Sequence, residues 1–342
     1  MIGIAFIGSG SIVEERHAPE AFKSKGVNII GYYNRTPEKA KILSKKYGGI
    51  VYISIDKLLE DVNVDAVVVS SINKLHSEHT IQALEKGKHV LCEKPMALTL
   101  DEAKEMIQSS KKANRILMIA HNLRLEPAFV AAKAVLQSGK LGKVISFTSV
   151  IGSEGPECER NLPTDNLWFY HKNLAGIGVL GDLGIHSVET LNYLLEDEFE
   201  EVSCFSVTSD KKFSNGEFIT VEDNSTCILK TKSNIIGTMS ASWSYYDGWT
   251  SAMVLYCQNG VIRINSNPKF PLIINMKDGT VYKEDISDYC NSQDGSGIMK
   301  MFVNSIETNS EPVLNGEAGI SALKVILASV ESSRAGQSVK IL

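Results

Sequence analysis

Short apolar runs alternate with amphipathic stretches through the first third of the chain. Ile2–Ile7 reads Ile-Gly-Ile-Ala-Phe-Ile, with no polar face, as expected of a parallel strand covered on both sides. The same texture returns at Val27–Tyr33, 51–53, Ala66–Val69, His89–Cys92 and 116–120. Between these runs the hydrophobic period lengthens to that of a helix. One helix ends near Lys25-Gly26, Pro37–Tyr47 follows Thr36 as N-cap, and Ile55–Glu60 follows Ser54. The stretch 75–86 stops at Gly87, Leu100–Ala113 comes after Pro95, and 127–138 stops at Gly139. Strand and helix in alternation, with short joints, predict a doubly wound parallel sheet.

From Val144 onward the pattern changes. Strand-like runs at 143–150, 202–209, 225–231, 235–242, 253–258, 261–264 and Leu272–Met276 are joined by turns such as Gln258-Asn259-Gly260 and Lys277-Asp278-Gly279. They predict a mostly antiparallel open sheet in an α+β domain. The boundary falls near residue 122, giving domains 1–122 and 123–342, with a helix at 317–334 packing back on the first.

Two turns in the first domain carry candidate chemistry. Gly8-Ser9-Gly10-Ser11-Ile12 follows the first strand at once and opens a helix. The first glycine permits a tight turn, and the second lets the backbone approach a pyrophosphate resting on the helix N-terminus. The third small position of this fingerprint is Val13. After the second strand come Asn34 and Arg35 where a ribose-binding acid usually stands. Arginine suits a 2′-phosphate, which leans the cofactor toward NADP over NAD. The second turn is Glu93-Lys94-Pro95, at the carboxyl end of the strand at 89–92, where ligands of open α/β sheets collect. His76 and His79, three apart with no third ligand in view, do not read as a metal site, and His76 is expected to cap a helix.

In the second domain, Ala175-Gly176-Ile177-Gly178 opens a helix running to about Leu195. Asp182 and His186, four apart, share one face of it. Histidine suits proton transfer near neutrality, and an aspartate one turn earlier can orient it or grip a hydroxyl. The same residues also fit a satisfied helix histidine with a dipole-favoured aspartate.

Composition narrows the classes. The net charge of -5 leaves no footprint for nucleic acid, and no apolar run nears the ~20 residues of a membrane helix. No basic n-region or cleavage pattern precedes the first strand, so a cytoplasmic protein is expected. Cys92, Cys158, Cys204, Cys227, Cys257 and Cys290 are scattered, which fits reduced thiols and no metal site.

The glycine turn, the Glu-Lys-Pro turn and the Asp-x-x-x-His helix, in this order, resemble the Gfo/Idh/MocA oxidoreductases, which include glucose–fructose oxidoreductase and inositol dehydrogenase. The likeness covers nearly the whole chain, and Ser-Gly-Lys-Leu-Gly-Lys at 138–143 also looks like that family's entry into its second domain. It departs at Val13 and at the triple glycine, here Ala175-Gly176-Ile177-Gly178.

The resemblance implies a Rossmann domain followed by a substrate domain, with the following roles. Gly8, Ser9, Gly10, Ser11 and Ile12 bind the dinucleotide phosphates, and Asn34 and Arg35 the adenosine ribose. Ser71, Ile72, Asn73 and His76 line the path to the nicotinamide, Glu93 reaches its ribose, and Lys94 and Asn122 complete the cofactor set. Lys94 holds the reacting oxygen, His186 exchanges its proton, and Asp182 assists. The Lys94–Pro95 peptide is expected to be cis. Substrate contacts beyond Lys94, Asp182 and His186 are expected from Trp168, Lys172 and Arg124. A second aromatic cluster, Trp243, Tyr245, Tyr246 and Trp249, reads equally as sugar platform or core.

The expected activity is hydride transfer between NADP or NAD and a secondary alcohol or carbonyl of a sugar- or cyclitol-like substrate. A glycoside hydrolase using NAD transiently, a reductase of a non-sugar carbonyl or imine, and a non-catalytic dinucleotide sensor are the alternatives. A homo-dimer or homo-tetramer formed through the C-terminal sheet is expected.

Overall fold

The computed structural model describes residues 1–284 and 295–342; Cys290 lies outside them. The chain divides into two compact units. One is Met1–Asn122 with Asn291–Ile320; the other is Leu123–Cys290 with Ser321–Leu342.

The first unit is built on β1 (Ile2–Ile7), β2 (Val27–Tyr33), β3 (Ile50–Val51), β4 (Ala66–Val69), β5 (His89–Cys92) and β6 (Leu117–Ile119). They are all parallel, in the order β3-β2-β1-β4-β5-β6. The unbroken apolar run of β1 explains its central place: Ile4, Ala5, Phe6 and Ile7 have no exposed surface. Each large side chain so buried contributes about 1.5–3 kcal/mol. The strand order reverses between β1 and β4, which opens a crevice at their carboxyl ends. Helix Leu100–Ala113 starts on a capping box: the Thr99 hydroxyl accepts from Glu102 N at 3.2 Å, and the Glu102 carboxylate accepts from Thr99 N at 3.0 Å.

The structure departs from the sequence reading at two elements and adds a third. Thr36 stands at the N-cap of Pro37–Tyr47 but its side chain makes no capping bond; its carbonyl instead accepts the Asn34 amide at 2.8 Å. The short strand expected at 51–53 is Ile50–Val51, because Gly31 and Tyr32 of β2 offer partners only there. Helix Ile298–Thr308 had no expectation attached to it, and it belongs with the first unit. Its start is held by Glu20, whose carboxylate accepts from Ser296 N at 2.6 Å and Met299 N at 3.4 Å. Further on, Leu314 O accepts from Ile119 N at 2.7 Å, alongside β6.

The second unit carries β7 (Val144–Gly152), β8 (Phe199–Val207), β9 (Asn224–Thr231), β10 (Ile236–Ser242), β11 (Thr250–Cys257), β12 (Gly260–Ile264), β13 (Leu272–Met276), β14 (Val281–Glu284) and β15 (Val339–Lys340). Their order is β14-β13-β12-β11-β7-β10-β9-β8-β15. All neighbours are antiparallel except β7 and β10. One face is core: Phe147, Cys227, Leu229, Met239, Leu255 and Ile262 pack with Ala132, Val188, Leu191 and Ile326 from the helices. The other face alternates outward. Ile228, Thr238, Thr148 and Val254 are successive partners across it, with Ser240 and Val150 in the next row. β14 and β15 are too short to show alternation in sequence.

Candidate active site

The turn after β1 is built for close approach. Gly8 has φ +99°, and a Cβ there would lie 2.3 Å from the Ser70 carbonyl oxygen at the end of β4, so no other residue fits. A Cβ on Gly10, by contrast, would meet no atom within 4 Å. The Ser9 and Ser70 hydroxyls beside this opening are buried and have no partner among the described residues. Orphaned hydroxyls, an open space and a helix N-terminus form a cradle that a pyrophosphate fits. Gly10 O takes the amides of Val13 and Glu14, and the chain then widens into a π-turn at Val13–His17. Ser11 and Ile12 sit half-buried at its start.

Asn34 serves this turn rather than facing away from it. Its side-chain oxygen accepts from Ser9 N at 2.9 Å and its amide donates to Thr36 O. Arg35 is exposed at the end of β2.

At the end of β4, Ser71 Oγ bonds His79 Nδ1 at 3.0 Å. His76 is buried, with Nδ1 2.8 Å from Pro95 O and Nε2 3.0 Å from Ser71 O. It does not cap its helix, contrary to expectation, because both ring nitrogens face backbone carbonyls and Leu75 holds the N-cap position. Burial pushes its pKa down, against the two carbonyl contacts, which favour the charged ring. Ile72 is half-buried and Asn73 buried in the short turn before the helix.

The Lys94–Pro95 peptide is cis. Glu93 is buried and bonded through Oε1 to His17 Nε2 at 2.6 Å, while Oε2 accepts from Lys94 N at 3.2 Å. Burial alone would push this carboxyl up; the His17 bond, with Lys94 and Arg16 nearby, outweighs it and holds the pKa at about 2. Lys94 is half-buried, as is Asn122 after β6.

In the second unit, Gly176 has φ +76°, and a Cβ on Gly178 would lie 2.1 Å from Glu222 O. The glycines retained at these two positions are thus the ones the turn requires. A second π-turn, Leu180–Gly184, leads into helix Ile185–Leu195. Asp182 is half-buried and accepts from the indole N–H of Trp243 at 3.1 Å. His186 is buried. The neighbouring Ser187 hydroxyl accepts from Ser149 Oγ of β7 at 3.1 Å.

The expected substrate contacts separate into two kinds. Arg124 is bound to buried Glu189 at 2.8 Å and lies 4.2 Å over the Tyr193 ring, so its charge is already spent. Trp168 is half-buried and stacks on Phe169 at 3.8 Å, and Lys172 is exposed. The second aromatic cluster also divides. Trp243 is fully buried beside Tyr170, whereas Trp249 is largely exposed. His17 and the Trp243 N–H were missed in the sequence; the only signal for the first was a histidine on the helix that the glycine turn opens.

Comparisons with known proteins agree with this architecture. Residues 2–121 match an oxidoreductase family with an NAD-binding Rossmann fold, and 129–263 match the GFO/IDH/MocA C-terminal domain. The chain is 27% identical to a 1,5-anhydro-D-fructose reductase of Ensifer adhaerens, covering 98% of this chain and 97% of that enzyme. It is 28% identical to a myo-inositol 2-dehydrogenase of Thermotoga maritima, covering 83% and 82%. The crystal structure of an aldose-aldose oxidoreductase from Caulobacter crescentus, complexed with glycerol, superposes with a TM-score of 0.86 at 26% identity, over 99% of both chains.

Proposed function

This chain belongs to the Gfo/Idh/MocA oxidoreductase family and is an NAD(P)-dependent enzyme of that class, and we propose the following assignment of its residues. The substrate is a sugar- or cyclitol-like molecule, oxidised at a secondary alcohol or reduced at the matching carbonyl. Gly8, Ser9, Gly10, Ser11 and Ile12 bind the phosphates of the dinucleotide. Arg35, exposed where an acid would otherwise stand, pairs with a 2′-phosphate, so the preferred form is NADP. Ser71, Ile72, Asn73 and Asn122 lie on the cofactor path. When bound, the nicotinamide supplies the hydride chemistry, which the protein does not itself provide.

Lys94 holds the reacting oxygen and stabilises the negative charge that develops on it. His186 takes the hydroxyl proton in oxidation and returns it in reduction. Asp182, fixed by Trp243, orients substrate and imidazole. Trp168 and Lys172 offer an apolar face and a cation to the rest of the substrate. Arg124, held by Glu189, acts as support.

One observation carries the reading: the open space over Gly10, flanked by the orphaned Ser9 hydroxyl, at the crevice where the strand order reverses. The test is a panel of sugars and cyclitols offered with NAD and NADP in parallel, followed by nicotinamide absorbance. Turnover of at least one polyol, faster with NADP, is expected. Release of sugar from a glycoside with no net nicotinamide change would overturn the dehydrogenase assignment.

We also propose a cytoplasmic homo-oligomer assembled through the outer face of the second sheet. No helix among the described residues is long and apolar enough to cross a membrane. The central rows of that face, Ile228-Thr238-Thr148-Val254 and Thr226-Ser240-Val150-Ala252, carry no charge, which is unusual for a face left to solvent. Sedimentation of Val254→Asp is expected to give a smaller species than the parent chain.

A further inference from the structure

The Glu93-Lys94-Pro95 turn is gripped from two helices. His17, with no exposed surface, closes the π-turn Val13–His17 and reaches Glu93 Oε1 at 2.6 Å. The second oxygen of that carboxylate accepts the amide of Lys94. Beyond the lysine, His76 Nδ1 lies 2.8 Å from Pro95 O. The backbone is therefore bonded immediately before and immediately after the Lys94 side chain. Glu93 is 8% exposed and carries one bond on each oxygen.

We propose that His17 and His76 are positioning residues that fix the Lys94 backbone from its two sides, His17 acting through the Glu93 carboxylate that accepts the Lys94 amide. The inference rests on the reading of Lys94 as the group on the substrate oxygen. Its physical basis is that displacing a reacting group by about 1 Å can cost on the order of 100-fold in rate. The π-turn has a part in it. The turn that begins at the phosphate cradle ends on the residue that holds Glu93, so one short segment serves both the cofactor turn and the lysine turn.

Glu93 is faced by His17 and Arg16 from the π-turn, by Lys94 on its own turn, by His76 from the preceding helix His76–Glu85 and by the Cys92 thiol of β5. Without His17, burial acts on its carboxyl with less opposition. A protonated Glu93 loses acceptor strength toward the Lys94 amide. A pH-dependent loss follows, which a purely structural role of His17 would not produce.

The experiment compares the parent enzyme with His17→Ala, His17→Gln, Glu93→Gln, His76→Leu and Lys94→Ala. It reads kcat and KM across pH, thermal unfolding, and the dissociation constant of the oxidised dinucleotide without substrate by calorimetry. His17→Ala is expected to lower kcat by about 10- to 100-fold and to add an acid limb absent from the parent. His17→Gln, which keeps a donor, should recover most of the rate and remove the limb. His76→Leu should lower kcat without adding the limb. In both His17 variants the dinucleotide constant should stay within about threefold of the parent.

A pH-independent loss equal in both His17 variants would overturn the proposal. So would a weakening of dinucleotide binding in His17→Gln by tenfold or more at unchanged kcat, since that places His17 in cofactor binding and not in positioning Lys94. If His17→Ala does not fold, His17→Gln and Glu93→Gln decide between these outcomes. Lys94→Ala separates the two levels: if it keeps full activity, the assignment of Lys94 itself fails, and if it is inactive while the His17 variants are normal, only the present inference fails.

Discussion

Two buried glutamates, one in each unit, ionise in opposite directions. Glu93 in the first unit is held at about 2, and Glu189 in the second is pushed up to about 7. Burial raises both. The difference lies in their partners. Glu93 has a bond on each oxygen, from His17 and from the Lys94 amide. Glu189 has Arg124 on Oε1, while its Oε2 has no partner among the described residues. A single cation does not outweigh desolvation at a site this dry, whereas a fully engaged carboxylate stays charged. The charged glutamate stands beside the lysine turn. The one that neutralises readily lies a turn beyond His186, where the neutral indole of Trp243 serves Asp182 instead.

The largest expected effect comes from removing the groups these regions present. Lys94→Ala and His186→Ala should each lower kcat by about 10²- to 10⁴-fold, measured at saturating cofactor. If either keeps more than a tenth of the parent rate, that side of the comparison has no bearing on catalysis.

Next comes stability. His17→Leu strands a buried carboxylate and should cost about 3–5 kcal/mol in urea unfolding. Arg124→Leu should cost less, about 1–2 kcal/mol, because Glu189 can take up a proton. Equal losses would erase the distinction between the two sites.

The pH dependence sharpens it further. Glu93 has a folded pKa below its ordinary 4.5, so its contribution is present above that value and is lost as pH falls toward 2. Glu189 has the reverse sign: its contribution is full below 4.5 and is lost as pH rises through about 7. Glu93→Gln should flatten the acid side of the stability curve, and Glu189→Gln the side near neutrality. His89 adds to the acid side. Burial and Arg115 hold its pKa near 4, so stability falls as pH drops from 6.5.

The smallest effect on rate is expected from Trp243→Phe, which deletes the N–H to Asp182 and leaves a cavity where the larger indole packed, for about a 10-fold loss in kcat and about 1–3 kcal/mol in stability. A larger fall in unfolding temperature than in rate would make Trp243 a packing residue alone.

Much of the first unit was legible because its signals are local. A six-residue apolar run, a glycine turn and a helix follow one another, and Gly8 is needed for a contact set by the neighbouring strand end. The supports were not legible. His17 and Glu93 are 76 residues apart, and Asp182 and Trp243 are 61 apart, so no periodicity links them. The resemblance gives Asn34 a ribose role, and its bonds to Ser9 N and Thr36 O, which tie it to the glycine turn, have no signal in the sequence. Arg124 illustrates the same limit. A lone arginine after a strand end looks available until its buried carboxylate appears 65 residues on.

The segment that runs alongside β6 has a practical consequence for anyone dissecting this molecule. Leu314 O occupies the Ile119 amide, and Glu20 secures the start of the helix that leads there. A fragment cut after Asn122 would carry that strand with its outer edge bare, a surface prone to recruit other chains. An expressed nucleotide-binding half should therefore include residues 295–320, joined by a linker, and the shorter fragment should precipitate where the longer one stays in solution.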